Sequence, residues 1–250
     1  MSKGEVVVKG EVHASEADQA ETQSLLQQGV DYLVLENAAE ASEPGLRYLW
    51  FHVQMWCLTH FFFRRIYTDP TPLEEVVKKQ DGKVVYTRKT DLELIMDAKW
   101  WEESIAFVGF LACWIGTPLM GITGGNQEVI LGGMIFALGG LLPPIFLRVR
   151  ESERGENNRD ENTAGKIADV AGDGNRVVAL IGNRHVDAVV SHLPDSINPT
   201  RKDAASTWYQ PRGIWLALKA GVTVLALYGA LYLGVVGGSR LLLQLLGVGS

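Results

Sequence analysis

Two of the five histidines in this 250-residue chain stand in the same short pattern. Gly10-Glu11-Val12-His13 and Gly182-Asn183-Arg184-His185 are both G-x-x-H. Each closes an apolar run of strand character, Val6-Val7-Val8 before the first and Val177-Val178-Ala179-Leu180-Ile181 before the second. A third run, Tyr32-Leu33-Val34-Leu35, ends on Glu36. Parallel strands in one sheet would deliver both imidazoles and the carboxylate to one edge. Ligands of open α/β sheets bind at that carboxyl edge. Neutral imidazole and ionised carboxylate together suit a divalent metal ion, with His13, His185 and Glu36 as its ligands. Glu36 can equally serve as a general base; its plain alternative is a solvated or helix-capping carboxylate. Glu11, inside the first motif, is a second carboxylate candidate. The glycines permit a tight turn or a close backbone approach at the strand ends. A single G-x-x-H carries little information, and the expectation rests on the pair. His52 and His60 read as packing or interface residues and His192 as exposed. No serine nucleophile elbow, P-loop or dinucleotide fingerprint is present.

Such residues need a scaffold to bring them together. The first polar segment reads β-loop-α-β. Ser15 followed by Asp18 resembles a capping box with Asp in place of Glu. It predicts a helix from about Glu16 to Gln28, ending at Gly29 as a C′ glycine. His13 then falls between strand end and helix start, where backbone N–H groups favour an anionic ligand. Thr71-Pro72-Leu73-Glu74-Glu75 predicts a helix with proline at its first position. Lys83-Val84-Val85-Tyr86-Thr87 predicts a short strand after the Asp81-Gly82 turn. Residues 151–163 are polar and charged and read as a linker, with helix-compatible sequence at 164–170. Arg159 reads as a solvated helix residue; its functional alternative is to stabilise an oxyanion or hold a substrate carboxylate.

Charge and apolarity are segregated along the chain, which explains a mean hydropathy of +0.06 beside 21% charged residues. Three stretches, 104–122, 129–147 and 214–236, each approach the ~20 apolar residues needed to cross a bilayer. The only charge in the third is Lys219, near its start, which can snorkel. Lys99, Arg148, Arg150, Arg154, Arg201, Lys202 and Arg212 flank the spans on one side, whereas the turn 123–128 has no cation. The positive-inside rule therefore puts the polar segments in the cytoplasm and that turn outside. Arg240, in the tail, is a weak counter-signal. Residues 46–63 are strongly aromatic but too polar for a span, and predict a buried or interfacial helix. The N-terminus lacks the apolar region of a signal peptide, so membrane attachment is expected through internal spans. With a net charge of −6 and no long basic run, a nucleic-acid partner is not expected. Two cysteines without a C-x-x-C partner argue against a disulfide framework.

The expected organisation is an α/β domain, with a central sheet and flanking helices, plus about three transmembrane helices. Residues 1–103 form the first part of the domain, 104–150 a transmembrane hairpin, 151–212 the second part, and 213–250 a C-terminal span and tail. The hairpin returns the chain to the same side, so His13, Glu36 and His185 can still meet.

The motifs resemble those of the TraB/PrgY family and the related Tiki proteins. Gly10-Glu11-Val12-His13-Ala14-Ser15 is similar to the family's first motif, commonly G-T-x-H-x-S. Leu33-Val34-Leu35-Glu36 is similar to its V-x-x-E strand. Arg159-Asp160-Glu161-Asn162, Lys166-Ile167 and Val177 to His185 are similar to its stretch running from an Arg to the second G-x-x-H. The resemblance covers about residues 4–40 and 155–195, together with C-terminal spans. A methionine often found after the Arg is absent, and Asp187-Ala188 stands where the family often has a glycine. The resemblance implies a membrane-tethered, divalent-metal-dependent protease, as in Tiki proteins, or a regulator that shuts down a peptide pheromone response. The expected reading is a membrane-anchored, metal-dependent hydrolase acting on peptides. Its ion would be Mn, Co, Zn or Fe, with Glu36, Arg159 and Glu11 as catalytic candidates. The alternative is a non-catalytic membrane protein that binds a peptide or cofactor at the same edge.

Overall fold

A computed structural model describes residues 4–12, 15–38, 45–64, 69–172, 174–205 and 211–247. Its regular elements begin with β1 (Glu5–Glu11), α1 (Glu16–Leu26), β2 (Tyr32–Ala38), α2 (Leu49–Leu58), α3 (Thr71–Lys78) and β3 (Lys83–Arg88). There follow α4 (Asp91–Met96), α5 (Trp100–Leu111), α6 (Thr117–Thr123), α7 (Asn126–Gly139) and α8 (Leu142–Val170). The last are β4 (Arg176–Gly182), α9 (Val186–His192), β5 (Thr200–Lys202) and α10 (Pro211–Leu245). The chain divides into two compact units. One holds Met1–Ser42, Arg64–Thr90 and Glu153–Leu216; the other holds Glu43–Phe63, Asp91–Ser152 and Ala217–Ser250.

The first unit is an α/β domain on a five-stranded sheet in the order β3-β2-β4-β1-β5, parallel throughout. Its central strands read as unbroken apolar runs because helices cover both faces. Successive side chains alternate between those faces. Val7, Leu33, Leu35, Val178 and Leu180 pack with Leu25 and Leu26 of α1 and Leu73 and Val77 of α3. Val6, Val8, Val34, Val177, Ala179 and Ile181 pack on the other face with Ala164 and Ile167 of α8 and Val186 and Val189 of α9. Local signals set the element ends. The Ser15 hydroxyl accepts the Asp18 N–H at 3.2 Å, capping α1, and Gly29 just beyond that helix has φ +93°. Asp69 accepts from both the Thr71 N–H and hydroxyl ahead of Pro72.

The linker expected at 151–163 is instead helical, inside the unbroken α8. Its charges favour helix rather than coil: the segment contains no proline, and Arg148 and Glu151 pair at i,i+3 spacing, 3.4 Å apart. The boundary between the two units falls within this helix.

Among the described residues, three helices of the second unit's segments are long and apolar enough to cross a membrane: Trp100–Thr123, Asn126–Glu151 and Ile214–Leu245. Only 22%, 39% and 28% of their apolar windows are buried, so most of their apolar surface is uncovered within the chain. The chain segments before and after the first two spans fold into one α/β unit. Two crossings allow that and a single crossing would forbid it.

The aromatic segment expected to be a buried or interfacial helix packs within this second unit. Phe51, Met55 and Leu58 of α2 share a core with Leu94, Ile95, Ala106 and Leu147. The Gln54 amide is fully buried and donates to the Gly140 carbonyl at 2.9 Å. At one end of the spans, buried Glu102 meets Arg150 at 3.2 Å, and Arg150 stacks over Trp101. At the other end, Arg240 donates to the carbonyls of Gly121 and Gly124. Its charge thus caps the last turn of α6, where the helix dipole is negative.

Tyr232 is the best-buried large side chain of this unit, fully enclosed. Its hydroxyl lies where a Cβ on either Gly121 or Gly132 would be, and its ring covers Gly133. Small residues at these points let the helices approach closely. Gly132→Ala is expected to lower stability in mild detergent by about 1–3 kcal/mol through overpacking. Because the obstructing atom is the hydroxyl, Tyr232→Phe added to Gly132→Ala should restore most of the loss. Melting curves of the two singles and the double make the check; a double no better than Gly132→Ala would contradict the proposed contact.

Candidate functional site

The connections of the sheet single out one place on its carboxyl edge. From β1 the chain crosses through α1 on one face to reach β2; from β4 it crosses through α9 on the opposite face to reach β5. β2 likewise continues to β3 through α3 on the α1 face, so the connections reverse on both sides of β4. The ligand-binding crevices of an open α/β sheet therefore flank it, next to β2 and, on the other side, between β4 and β1. These two strands carry the two G-x-x-H motifs, and Glu11 of the first pairs in register with Gly182 of the second. The motifs interlock: a Cβ on Gly10 would collide with the Asn183 side chain. The Asn183 side-chain Oδ1 in turn accepts the Ala204 N–H at 3.2 Å, beyond β5. The glycine is there for the close approach that its sequence position predicts. His13 lies outside the described residues.

Glu36 ends the apolar run of β2, and the pairing of β2 with β3 shifts register between Leu35 and Ala38. Such irregularities re-aim side chains at strand ends. The Glu36 side chain is 3% exposed and collects three donors. Its Oε1 accepts from Arg88 Nη2 at 3.0 Å and contacts Arg159 Nη2; its Oε2 accepts the Gly182 N–H at 2.6 Å. Arg88 ends the neighbouring strand and Arg159 lies on α8. The carboxylate thus ties three elements to the second motif. Arg159 is a partner of Glu36 here, not the solvated helix residue read from sequence. A carboxylate has about four acceptor positions, so three donors leave one on Oε2.

Asp160, next to Arg159, takes the other half of the constellation. Its Oδ1 lies 3.1 Å from His185 Nδ1, while Arg184 Nε donates to His185 Nε2 at 3.0 Å. A guanidinium can only donate. Nε2 is therefore the acceptor nitrogen, and Nδ1 carries the hydrogen given to Asp160. Burial, and next the Arg159 charge, hold the imidazole below its usual 6.5, with Asp160 opposing them in part. Burial and the Arg159 charge both favour the neutral imidazole.

A pH dependence follows from that depressed value. The unfolded chain binds a proton near 6.5 that folded His185 resists, so its contribution to stability is present above 6.5 and is lost as pH falls below it. The wild type should lose more stability than His185→Gln when the pH drops from 7.5 to 5. Equal losses in paired unfolding curves would rule this out. The comparison with the variant matters because Glu11 has the opposite sign. Burial raises its carboxyl from 4.5, so its contribution is fully present below 4.5 and fades as pH rises.

Glu11 belongs to a different group. It has the parity of Lys9 on β1 and so lies on the α1 face, opposite Glu36. Its Oε1 accepts the Thr22 hydroxyl of α1 at 2.5 Å. Beside it the fully buried Lys9 ammonium meets Asp18 Oδ1 at 3.3 Å and Glu21 Oε2 at 3.5 Å. Asp18 also accepts the N–H groups of Val12 and Ala205, at 3.3 and 2.6 Å. This network pins the chain leading into the first motif and the segment that follows β5.

No family model, curated protein or solved structure matches this chain. Among the described residues no three His, Cys, Asp or Glu side chains cluster to hold a metal ion. Two groups nonetheless suit one. His185 is oriented through Nδ1–H by a carboxylate, the outer-shell arrangement typical of metal-ligating histidines. Glu36 keeps one acceptor position. Asp160, Arg88, Arg184, Lys9 and Asp18 are the residues that motif reading passed over. The available signal was charge at strand ends and strand parity, which places Lys9 and Glu11 together.

Proposed function

We propose that this chain is a TraB/PrgY-like, membrane-anchored hydrolase whose sheet edge cleaves peptides with a divalent ion. The observation that carries the reading is the convergence at the end of β4, where Asp160 orients His185 and Glu36 accepts the Gly182 N–H. His13, His185 and Glu36 would hold the ion. A bound Mn, Co, Zn or Fe ion would lower the pKa of its water and polarise a carbonyl. Arg184 must release Nε2 before that nitrogen can act as a ligand. Glu36 has a single remaining Oε2 position, so it would act either as a ligand of the ion or as the general base, and Asp160 keeps His185 in the tautomer whose Nε2 carries no proton. Arg159 supplies positive charge to an oxyanion or a peptide carboxylate. Glu11, turned to Thr22, is given no step. The α/β unit is assigned to the cytoplasmic face of the plasma membrane, from Lys99, Arg148, Arg150, Arg201 and Lys202.

One observation favours a second reading, a non-catalytic protein that binds a peptide or cofactor. Glu36 is already held by two guanidinium groups and a backbone N–H, an arrangement suited to a rigid recognition surface. Elemental mass spectrometry of the detergent-purified protein separates the two. The hydrolase reading expects stoichiometric metal in the wild type and none in His13→Ala/His185→Ala. It expects affinity to fall about 10- to 100-fold in Asp160→Ala, the usual cost of losing an outer-shell partner. Absence of metal from the wild type after reconstitution would favour the binding reading.

A further inference from the structure

The second unit carries an aromatic groove of about 650 Å³ between α2 and the first span. Leu49, Trp50 and Val53 form one wall and Phe107, Phe110 and Trp114 the other. The Trp50 ring sits 5.4 Å from Phe107 and 5.3 Å from Phe110, and Phe110 lies 5.6 Å from Trp114. These contacts fix the groove's shape rather than leaving it to mobile side chains. Leu49, Val53 and Phe107 are exposed along it.

One end of the groove is charged. Arg47 lines it, with a side chain 70% exposed but held at both Nε and Nη2 by Glu103, at 3.0 and 2.8 Å. The Nη1 donors of Arg47 are not used by that pair. Glu103 lies in the first turn of the span Trp100–Thr123, beside exposed Trp100, a residue type that marks the bilayer interface. Trp114 follows Glu103 by eleven residues, roughly 16 Å along a helix rising ~1.5 Å per residue. That distance is about half of a hydrocarbon core of ~30 Å. The groove therefore has the length of one leaflet, with a cation at the headgroup end and only apolar and aromatic walls below it.

The geometry points to a bound phospholipid, one acyl chain lying in the groove and its phosphodiester on the free edge of Arg47. A fixed guanidinium suits a phosphate because its orientation is already set by Glu103. The site rests on the first helix being a span and is independent of any chemistry at the sheet edge. Its failure would leave the metal measurements untouched.

The test is native mass spectrometry of the full chain, extracted in mild detergent from membranes and reloaded from phosphatidylglycerol vesicles. One phospholipid should stay with the wild type. Arg47→Gln should retain it about tenfold more weakly, the worth of one charge-assisted hydrogen bond. Val53→Trp, which fills the groove, should retain none while keeping the wild-type circular dichroism spectrum. Leu49→Trp serves as the second plug if Val53→Trp does not fold. Lipid retention equal in all variants would overturn the site. A lipid-free wild type, or a second copy of the chain seated there instead, would do the same.

Discussion

Glu36→Ala is expected to be among the most damaging single substitutions in the α/β unit. It removes the common acceptor of Arg88, Arg159 and the Gly182 N–H from a side chain only 3% exposed. Deleting one member of a buried ion pair typically costs 3–5 kcal/mol, so about 3 kcal/mol is expected here, where both arginines are partly exposed and regain water. Glu36→Gln keeps an acceptor for Gly182 and should cost about 1–2 kcal/mol. Hydrogen exchange of β2 and β4 amides in the detergent-solubilised protein reads both. Near-neutral Glu36→Ala would mean the carboxylate is not structural. A hydrolytic role predicts a different order for activity: both variants inactive, with Glu36→Gln still folded.

Asp18→Ala should cost as much or more, for a related reason. Lys9 is 0% exposed, and without the Asp18 carboxylate it keeps only the half-exposed Glu21 and the more distant charge of Glu11 among the described acidic groups. The Val12 and Ala205 N–H groups lose their acceptor as well. The expected loss is about 3–5 kcal/mol. Lys9→Met alone strands Asp18 and should also destabilise. Lys9→Met/Asp18→Asn removes both charges while keeping an oxygen for one of the two N–H groups. It should recover more than half of the loss of either single variant. A double variant as unstable as the sum of the singles would contradict a coupled buried pair.

These two clusters show where sequence reading reached and where it stopped. The strands before His185 and Glu36, the helix between Ser15 and Gly29, the proline-started α3 and the three apolar helices were all legible. Periodicity, caps and length are local signals. Strand order was not, and with it the reversal of connections on both sides of β4. The pairing of Arg159 with Glu36 and Asp160 with His185 depends on α8 running over the sheet. The charged composition of residues 151–163 hid that helix behind the look of a linker. Parity was available but unused: Glu11 shares the odd register of Lys9, and that places it with Thr22 and Asp18.

The central claim is that the sheet edge around His185 and Glu36 is a metal-dependent hydrolytic site. The most direct measurement is the cleavage rate of a fluorogenic peptide library by the detergent-purified chain, with and without added divalent ion, for wild type and His185→Ala. The account predicts ion-dependent cleavage that falls more than about 100-fold when the ligand is lost. Cleavage that survives His185→Ala, or none at all from a wild type carrying stoichiometric metal, would contradict it.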